Sequence, residues 1–299
     1  MTASTFENRV SWPWVGLTAT APAIWGSTYI VTTHLLPPGH PVFAAFMRTF
    51  PAGVIAILWA RKLPRGSWWW KSFVLGGLSM AAFFPLLFVS AERLPGGVAA
   101  TVGAVQPLFV AVLAVVILRE SVPAWRLTWG LVGVIGVALV VLGPDATLDP
   151  LGIVAGIAGA LSMATGVVLT KKWAPPRTIP SIALAGWQLT AAGILLFVPA
   201  LLLEGPPEAI STRGWLGYSW LALAGALMSY SVWFAGIRRL PVTSTALLGL
   251  LSPLVAATLG TLIAGESFGL VQWIGFCLAL SAMVCGQLPQ PHSKRKQKA

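Results

Sequence analysis

The chain has 299 residues, 57% of them hydrophobic and 9% charged, with a mean hydropathy of +0.82. That composition excludes a soluble globular protein and requires a bilayer around the chain. The net charge of +11 would point to nucleic acid in a soluble chain, but here the basic residues sit in short clusters between long apolar runs and report membrane orientation instead.

Ten apolar runs are long enough to cross about 30 Å of hydrocarbon as helix: Trp14–Thr33, Pro41–Ala60, Trp70–Ser90, Pro95–Leu118, Ala124–Leu142, Pro150–Thr170, Pro180–Leu203, Trp215–Gly236, Pro241–Ala264 and Leu270–Leu288. The first run has full length and no convincing cleavage site, so a removable signal peptide is not expected. Trp25, Thr28, Tyr29 and Thr32 recur at i, i+3, i+4 and i+7 and give it one polar, aromatic face. The second run carries Arg48, the one basic residue deep in a span. An intramembrane cation is a functional candidate, here for a substrate carboxylate. Snorkelling is the competing reading, and Gln188 at the equivalent position of the seventh run points to a structural hydrogen-bonding pair. Trp68, Trp69 and Trp70 beside a basic cluster read as an interfacial belt.

Phe83, Phe84 and Pro85 lie in the third run, and the eighth offers Tyr230 and Trp233 at i and i+3. Mid-span Tyr and Trp need partners for their polar tips away from lipid. Gln106 precedes Pro107 in the fourth run, and Ser252 precedes Pro253 in the ninth. A proline within a helix frees the carbonyl at i−4 and bends the helix, so both prolines are hinge candidates. The sixth run offers Ser162 and Thr165 at the spacing of Trp25 and Thr28. Glycine spacings around Gly133, Gly136, Gly152 and Gly156 read as close helix packing.

The fourth and ninth runs repeat one another. Sliding the stretch from Arg93 to Ser121 forward by 146 positions gives twelve identities in 29 pairs, including Arg93 with Arg239, Pro95 with Pro241, Gly103 with Gly249, Pro107 with Pro253, Glu120 with Glu266 and Ser121 with Ser267. A duplication explains ordered Arg, Pro, Gly and Glu matches that apolar composition alone does not. With the N-terminus inside, 16 of the 19 basic residues fall in inner segments, Arg93 and Arg213 fall outside, and six of the eight acids (Glu92, Asp145, Asp149, Glu204, Glu208, Glu266) fall outside. Five spans per half then make the second copy enter the membrane upside down, with Arg93 outside and Arg239 inside. Such inverted repeats are a recurring transporter architecture.

The fold expected is an all-α integral membrane protein of ten transmembrane helices in two inverted five-helix repeats. It divides into an inner segment 1–13, a first repeat 14–142, an outer linker 143–149, a second repeat 150–288 and a basic inner tail 289–299. "PAIWGSTYIVTTHLLPPGHP", "RLPGGVAATVGAVQP" with "VILRES", and "LLGLLSPLVAATLG" with "GES" closely resemble the EamA branch of the drug/metabolite transporter superfamily, and within it the PecM-like proteins, named for a blue-pigment (indigoidine) exporter. The resemblance covers nearly the whole chain. It implies the ten-helix inverted repeat and export of small metabolites across the bacterial inner membrane, and it does not carry the substrate with it.

The function expected is alternating-access export of a small neutral, zwitterionic or aromatic metabolite such as an amino acid or pigment. Import or exchange by the same fold, or a non-transporting receptor or scaffold, are the alternatives. The substrate-cavity candidates are Trp25, Thr28, Tyr29, Phe84, Gln106, Ser162, Thr165, Tyr230, Trp233 and Ser252, with Arg48 behind them. No span holds an acid, base and nucleophile set, so catalytic residues are not expected. His34, His40 and His292 form no metal cluster, Cys277 and Cys285 lie about 12 Å apart along one helix, and no phosphate-binding glycine loop occurs. The partners expected are the solute and the bilayer, without cofactor, nucleic acid or ATPase subunit. With none of the eight acids in mid-span, flux down the solute gradient is expected, without a carboxylate proton site.

Overall fold

The computed structural model describes residues 11–94, 102–120, 122–141, 149–176, 178–264 and 269–288. Residues 143–148 of the linker expected at 143–149, most of segment 1–13, the tail 289–299, Pro95, Ser121, Glu266 and Ser267 lie outside these residues. Among the described residues the regular structure is helical and groups into ten rods. In chain order, α1 comprises Trp12–Gly26 and Thr28–Leu35, α2 is Pro41–Ala60, and α3 comprises Trp68–Gly76, Gly77–Ala82 and Phe83–Arg93. Gln106–Leu118 is α4, Ala124–Val141 α5, Pro150–Trp173 α6, Ser181–Glu204 α7 and Thr212–Arg239 α8. The last two are α9, made of Val242–Leu248 and Leu251–Ala264, and α10, Leu270–Cys285. Six helical stretches, within α2, α3, α6, α7, α8 and α9, are each long and apolar enough to cross a membrane. Large apolar side chains cover the outside: Leu202 is 79% exposed, Leu270 78% and Trp59 75%. A surface of that kind is stable against acyl chains rather than water.

The most extensive packing joins α2 to α7, α3 to α6 and α5 to α10, followed by α1 with α8, while α4 with α6 and α1 with α9 pack less extensively. Advancing every helix by five positions maps this pattern onto itself. Small residues make the close approaches possible. A Cβ on Gly193 would lie 2.6 Å from Cβ of Phe50, and a Cβ on Gly53 would strike the backbone of Thr190. These are the same contact twice, because 53 and 193, and 50 and 190, are related by one offset of 140. Gly136 and Gly275 let α5 and α10 meet backbone to backbone in the same way. Residues Ala183 to Leu189 of α7 are all buried, since α2, α3 and α8 enclose that helix.

Each end of the α2–α7 pair is tied to its partner. Pro41 opens α2 with no N–H of its own, and the His40 cap makes no side-chain bond. Glu204, at the end of α7, fills that role: its carboxylate accepts from the backbone N–H of Val42 at 2.9 and 3.0 Å and of Phe43 at 3.0 Å. A negative group on a helix N-terminus contributes about 0.5–2 kcal/mol. At the opposite ends, Lys62 Nζ donates to the Thr178 carbonyl at 2.7 Å, and Trp187 Nε1 donates to the Lys62 carbonyl at 2.8 Å. Lys171 caps the end of α8 by donating to the carbonyls of Ile237 and Leu240, and Arg238 donates to those of Ile179 and Pro176. The basic clusters therefore also satisfy carbonyls at chain turns and helix ends.

Asp149 caps α6, accepting from the N–H groups of Leu151 and Gly152, and it meets Arg93 at 3.5 Å. The Gly152 hydrogen bond, joined by that of Leu151 and by the Arg93 charge, holds this carboxyl below its ordinary value against the opposing desolvation. Its capping contribution is present at neutral pH and is lost as pH falls through that depressed value.

Several sequence expectations shift. The run from Pro241 to Ala264 is interrupted at Gly249–Leu250, and the fourth run, helical at Val102 and Gly103, is interrupted at Ala104–Val105 and resumes as helix at Gln106. Pro107 and Pro253 are accordingly not mid-helix kinks. They sit in the first turn of a restarted helix, where a missing N–H costs nothing. Trp69 and Trp70 are exposed as an interfacial belt requires, but Trp68 is buried against Trp187.

Candidate functional site

A further departure from regular helix places the site. Gly77–Ala82 in α3 and Leu223–Met228 in α8 are π-helical, and they correspond residue for residue at the 146 offset. A π-segment widens the helix and disturbs the i to i−4 ladder, so local carbonyls become available to outside donors. The Gly225 carbonyl accepts from Trp25 Nε1 and from Arg48 Nη2, each at 3.0 Å. In the other half the Leu78 carbonyl accepts from Ser162 Oγ at 2.8 Å. Trp25 lies on α1 and Ser162 on α6, the first helix of each half. The first helix of each half is thus hooked onto a π-segment of the other half.

Between these hooks lies a cavity of about 260 Å³, near the lower bound of about 300 Å³ for small-molecule sites. Its walls come from both halves: Trp25, Thr28 and Thr32 on α1, Arg48 on α2, Phe83, Phe84 and Leu87 on α3, and Gly103, Gln106 and Pro107 at the start of α4. The second half contributes Gly156, Gly159 and Met163 on α6, Tyr230 and Trp233 on α8, and Gly249, Ser252 and Pro253 at the break in α9. The Trp25 ring lies 5.1 Å from both Tyr230 and Trp233, at interplanar angles of 47° and 60°. Such tilted pairs add about 0.5–1.5 kcal/mol to area burial and hold the aromatic wall rigid. Trp233 is 2% exposed, and its Nε1 has no hydrogen-bond partner among the described residues. Arg48 is 6% exposed. Besides Gly225 it reaches Thr28 Oγ1 at 3.4 Å and stands 4.8 Å from the centre of the Phe84 ring.

Of the residues singled out in the sequence, Trp25, Thr28, Phe84, Gln106, Tyr230, Trp233, Ser252, Pro107, Pro253 and Arg48 come together here. Ser162 and Thr165 do not. Ser162 is turned to Leu78, and Thr165 Oγ1 returns to the Leu161 carbonyl at 2.7 Å, as hydroxyls on membrane helices commonly do. On α6 the lining positions are instead Gly156, Gly159, Ala160 and Met163, the last one residue round from Ser162. Small apolar residues carry no chemical signature, so sequence alone passed over them. The Tyr29 side chain lies outside the described set. Arg48 and Gln188 do not form the pair their alignment suggested: Arg48 turns to Gly225, while the buried Gln188 amide has no partner among the described residues.

A helical bundle with an apolar exterior and an aromatic cavity between its halves defines a polytopic membrane protein able to hold a small solute. The chain belongs to the EamA-like transporter family, which matches residues 12–142 and 150–285, and it is a membrane transporter of that family. It is 40% identical over 277 residues to Protein PecM of Dickeya dadantii (strain 3937), covering 93% of each chain. It is also 26% identical to the uncharacterised inner membrane transporter YedA of Escherichia coli (strain K12), covering 87% of this chain and 86% of that one. The WAT1-related protein At3g02690, chloroplastic, of Arabidopsis thaliana is 28% identical over 89% of this chain and 67% of its own length. A solved structure titled only as a crystal structure of a protein shares the fold with a TM-score of 0.75 at 19% identity, covering 92% of this chain and 98% of that one.

Proposed function

We propose that the chain is an inner-membrane exporter of small metabolites that works by alternating access, its two halves being inverted repeats with both termini inside. The observation that carries this reading is the composition of the cavity wall. It takes matching helices from each half, α1 with α6, α3 with α8 and α4 with α9, and it sits at the two paired helix breaks and beside the two paired π-segments. Two similar halves around one site can exchange conformations and so present that site to either face. Pro107 and Pro253 serve as the hinges, each following an interruption where backbone bonding is already incomplete. The aromatic lining suits planar or apolar solutes, and among the described lining residues there is no Asp or Glu, which supports flux without a carboxylate proton relay.

Two measurements test this. In a variant lacking Cys277 and Cys285, cysteines replacing the exposed Arg93 and Arg239 are labelled from opposite faces of the membrane; labelling from one face defeats the inverted repeat. In proteoliposomes, labelled aromatic amino acids and related metabolites show saturable uptake that is accelerated by unlabelled solute on the far side. An imposed pH gradient at zero membrane potential drives no uphill accumulation. Uptake no faster than in protein-free vesicles sinks the transport site, and sidedness of flux in cells separates export from import.

A further inference from the structure

At the end of the bundle expected to lie inside, the α2–α3 loop meets the α6–α7 loop. Lys62 Nζ donates to the Thr178 carbonyl at 2.7 Å and Trp187 Nε1 to the Lys62 carbonyl at 2.8 Å, so a segment of the first half is held against a segment of the second. Residues 60–73 carry four Lys and Arg and residues 171–180 carry three, and neither stretch contains Asp or Glu. Arg61, Arg65 and Lys172 are exposed. Glu120, past the end of α4, acts electrostatically on Lys171 and Arg126. Folding thus gathers like charges from both halves, and an adjoining anionic surface stabilises such a group.

Within this group Lys71 is set in an aromatic cradle. Its Nζ lies 5.3 Å from the centre of the Trp68 ring, 5.8 Å from Trp70 and 5.7 Å from Trp173, all within the roughly 6 Å over which a ring face attracts a cation. Trp70 and Trp173 meet edge to face, 5.1 Å apart at 74°. Trp68 and Trp70 belong to α3 and Trp173 ends α6, so both halves build the cradle. The rings fix where the ammonium stands, and the residue remains half-exposed. Trp69 and Trp70, each 53% exposed, add an apolar rim of the kind that settles at headgroup depth. We infer that this cradle binds an acidic phospholipid, the headgroup phosphate on Lys71 and the acyl chains passing Val74, which is exposed one turn further along α3. An ammonium holds phosphate as a point charge and has three donors with which to reach it. A zwitterionic headgroup brings a cation of its own among the Lys and Arg, so the site discriminates against it. A lipid seated here also bridges α3 to α6. The inference stands apart from what the central cavity transports.

The test uses the full-length protein in a neutral detergent with equal amounts of dioleoylphosphatidylglycerol and dioleoylphosphatidylcholine, and native mass spectrometry counts the lipid that each molecule keeps. The unaltered protein is expected to retain phosphatidylglycerol over phosphatidylcholine by about fivefold or more, and Lys71→Gln to bring the two within about twofold. Lys71→Arg, which keeps a cation against the rings, preserves the preference. Arg213→Gln makes the same change of charge at an exposed site on the opposite end of the bundle and also preserves it. Equal retention of the two lipids by the unaltered protein overturns the inference. So does a preference that survives Lys71→Gln, or one that Arg213→Gln lowers as far as Lys71→Gln does, since diffuse attraction to net charge then explains it. Displacement of phosphatidylglycerol by about 20 mM inorganic phosphate, where chloride at equal ionic strength displaces none, marks a site for free phosphate and overturns the lipid assignment. Melting in nanodiscs gives a second reading that needs no variant: phosphatidylglycerol discs raise the midpoint by about 5 °C or more over phosphatidylcholine discs. No rise overturns the inference likewise.

Discussion

Trp233→Phe raises the KM of the transported solute about tenfold while the protein inserts and folds as the unaltered chain does. Trp233 lines the cavity, is 2% exposed, and has an indole N–H without a partner among the described residues. A buried donor left unsatisfied costs about 1–3 kcal/mol, so its retention in the cavity wall is explained by a bond to solute. Phenylalanine keeps a ring against Trp25 while it removes the donor and gives up part of the indole's area. Loss of one such bond is worth about 1.4 kcal/mol, which is a factor of ten. Initial rates in proteoliposomes across a concentration series, normalised to folded protein, provide the measurement, and an unchanged KM would contradict the assignment. Alanine is the poorer choice here. Removing so large a buried ring costs about 3–5 kcal/mol, and lost flux would then be indistinguishable from lost fold.

The second large effect concerns packing. Gly53→Leu and Gly193→Leu should each cost more than about 3 kcal/mol and leave little folded protein. Overpacking costs about 1–3 kcal/mol where side chains can yield, but here the obstruction includes backbone: Thr190 N faces Gly53, and Cα of Phe50 would lie 2.7 Å from a Cβ on Gly193. Relief therefore requires separating α2 from α7, the most extensive helix contact in the molecule. Gly16→Ala is the control. Nothing lies within 4 Å of its Cβ position, and its effect should stay within about 0.5 kcal/mol. Melting curves in detergent for the three variants settle the point; a Gly193→Leu protein that melts with the unaltered one would show that the helices do not depend on this approach.

Some chemistry was readable from residue type. Trp25, Tyr230 and Trp233 carry polar tips on apolar helices, and such groups must find partners away from lipid, so their meeting in one cavity follows from a general cost. Arg48 was legible as a candidate but not in its partner. Its natural match by alignment is Gln188, whereas the bond it makes is to the Gly225 carbonyl, an acceptor present at every residue and therefore invisible in a sequence. Gly156, Gly159 and Met163 were missed for a related reason, since their contribution is shape. Ser162 was misplaced because a hydroxyl has two ready outlets, a cavity or a neighbouring carbonyl, and helical spacing does not choose between them within a rotation of one residue.

What the sequence determined by itself was the membrane environment and the helical class, and from it came the expectation of a duplication and of an orientation for each loop. Those properties depend on sums over many residues, such as apolar length, charge asymmetry and ordered matches at offset 146, and no single contact can reverse them. Tertiary structure alone decided where the helices break, that Gly77–Ala82 and Leu223–Met228 take up the π form, that Glu204 caps a helix 162 residues earlier in the chain, and which face of α6 meets the cavity. Each of these turns on which backbone carbonyl or N–H has a donor or acceptor within about 3 Å, and that distance is set only when helices from both halves are packed together.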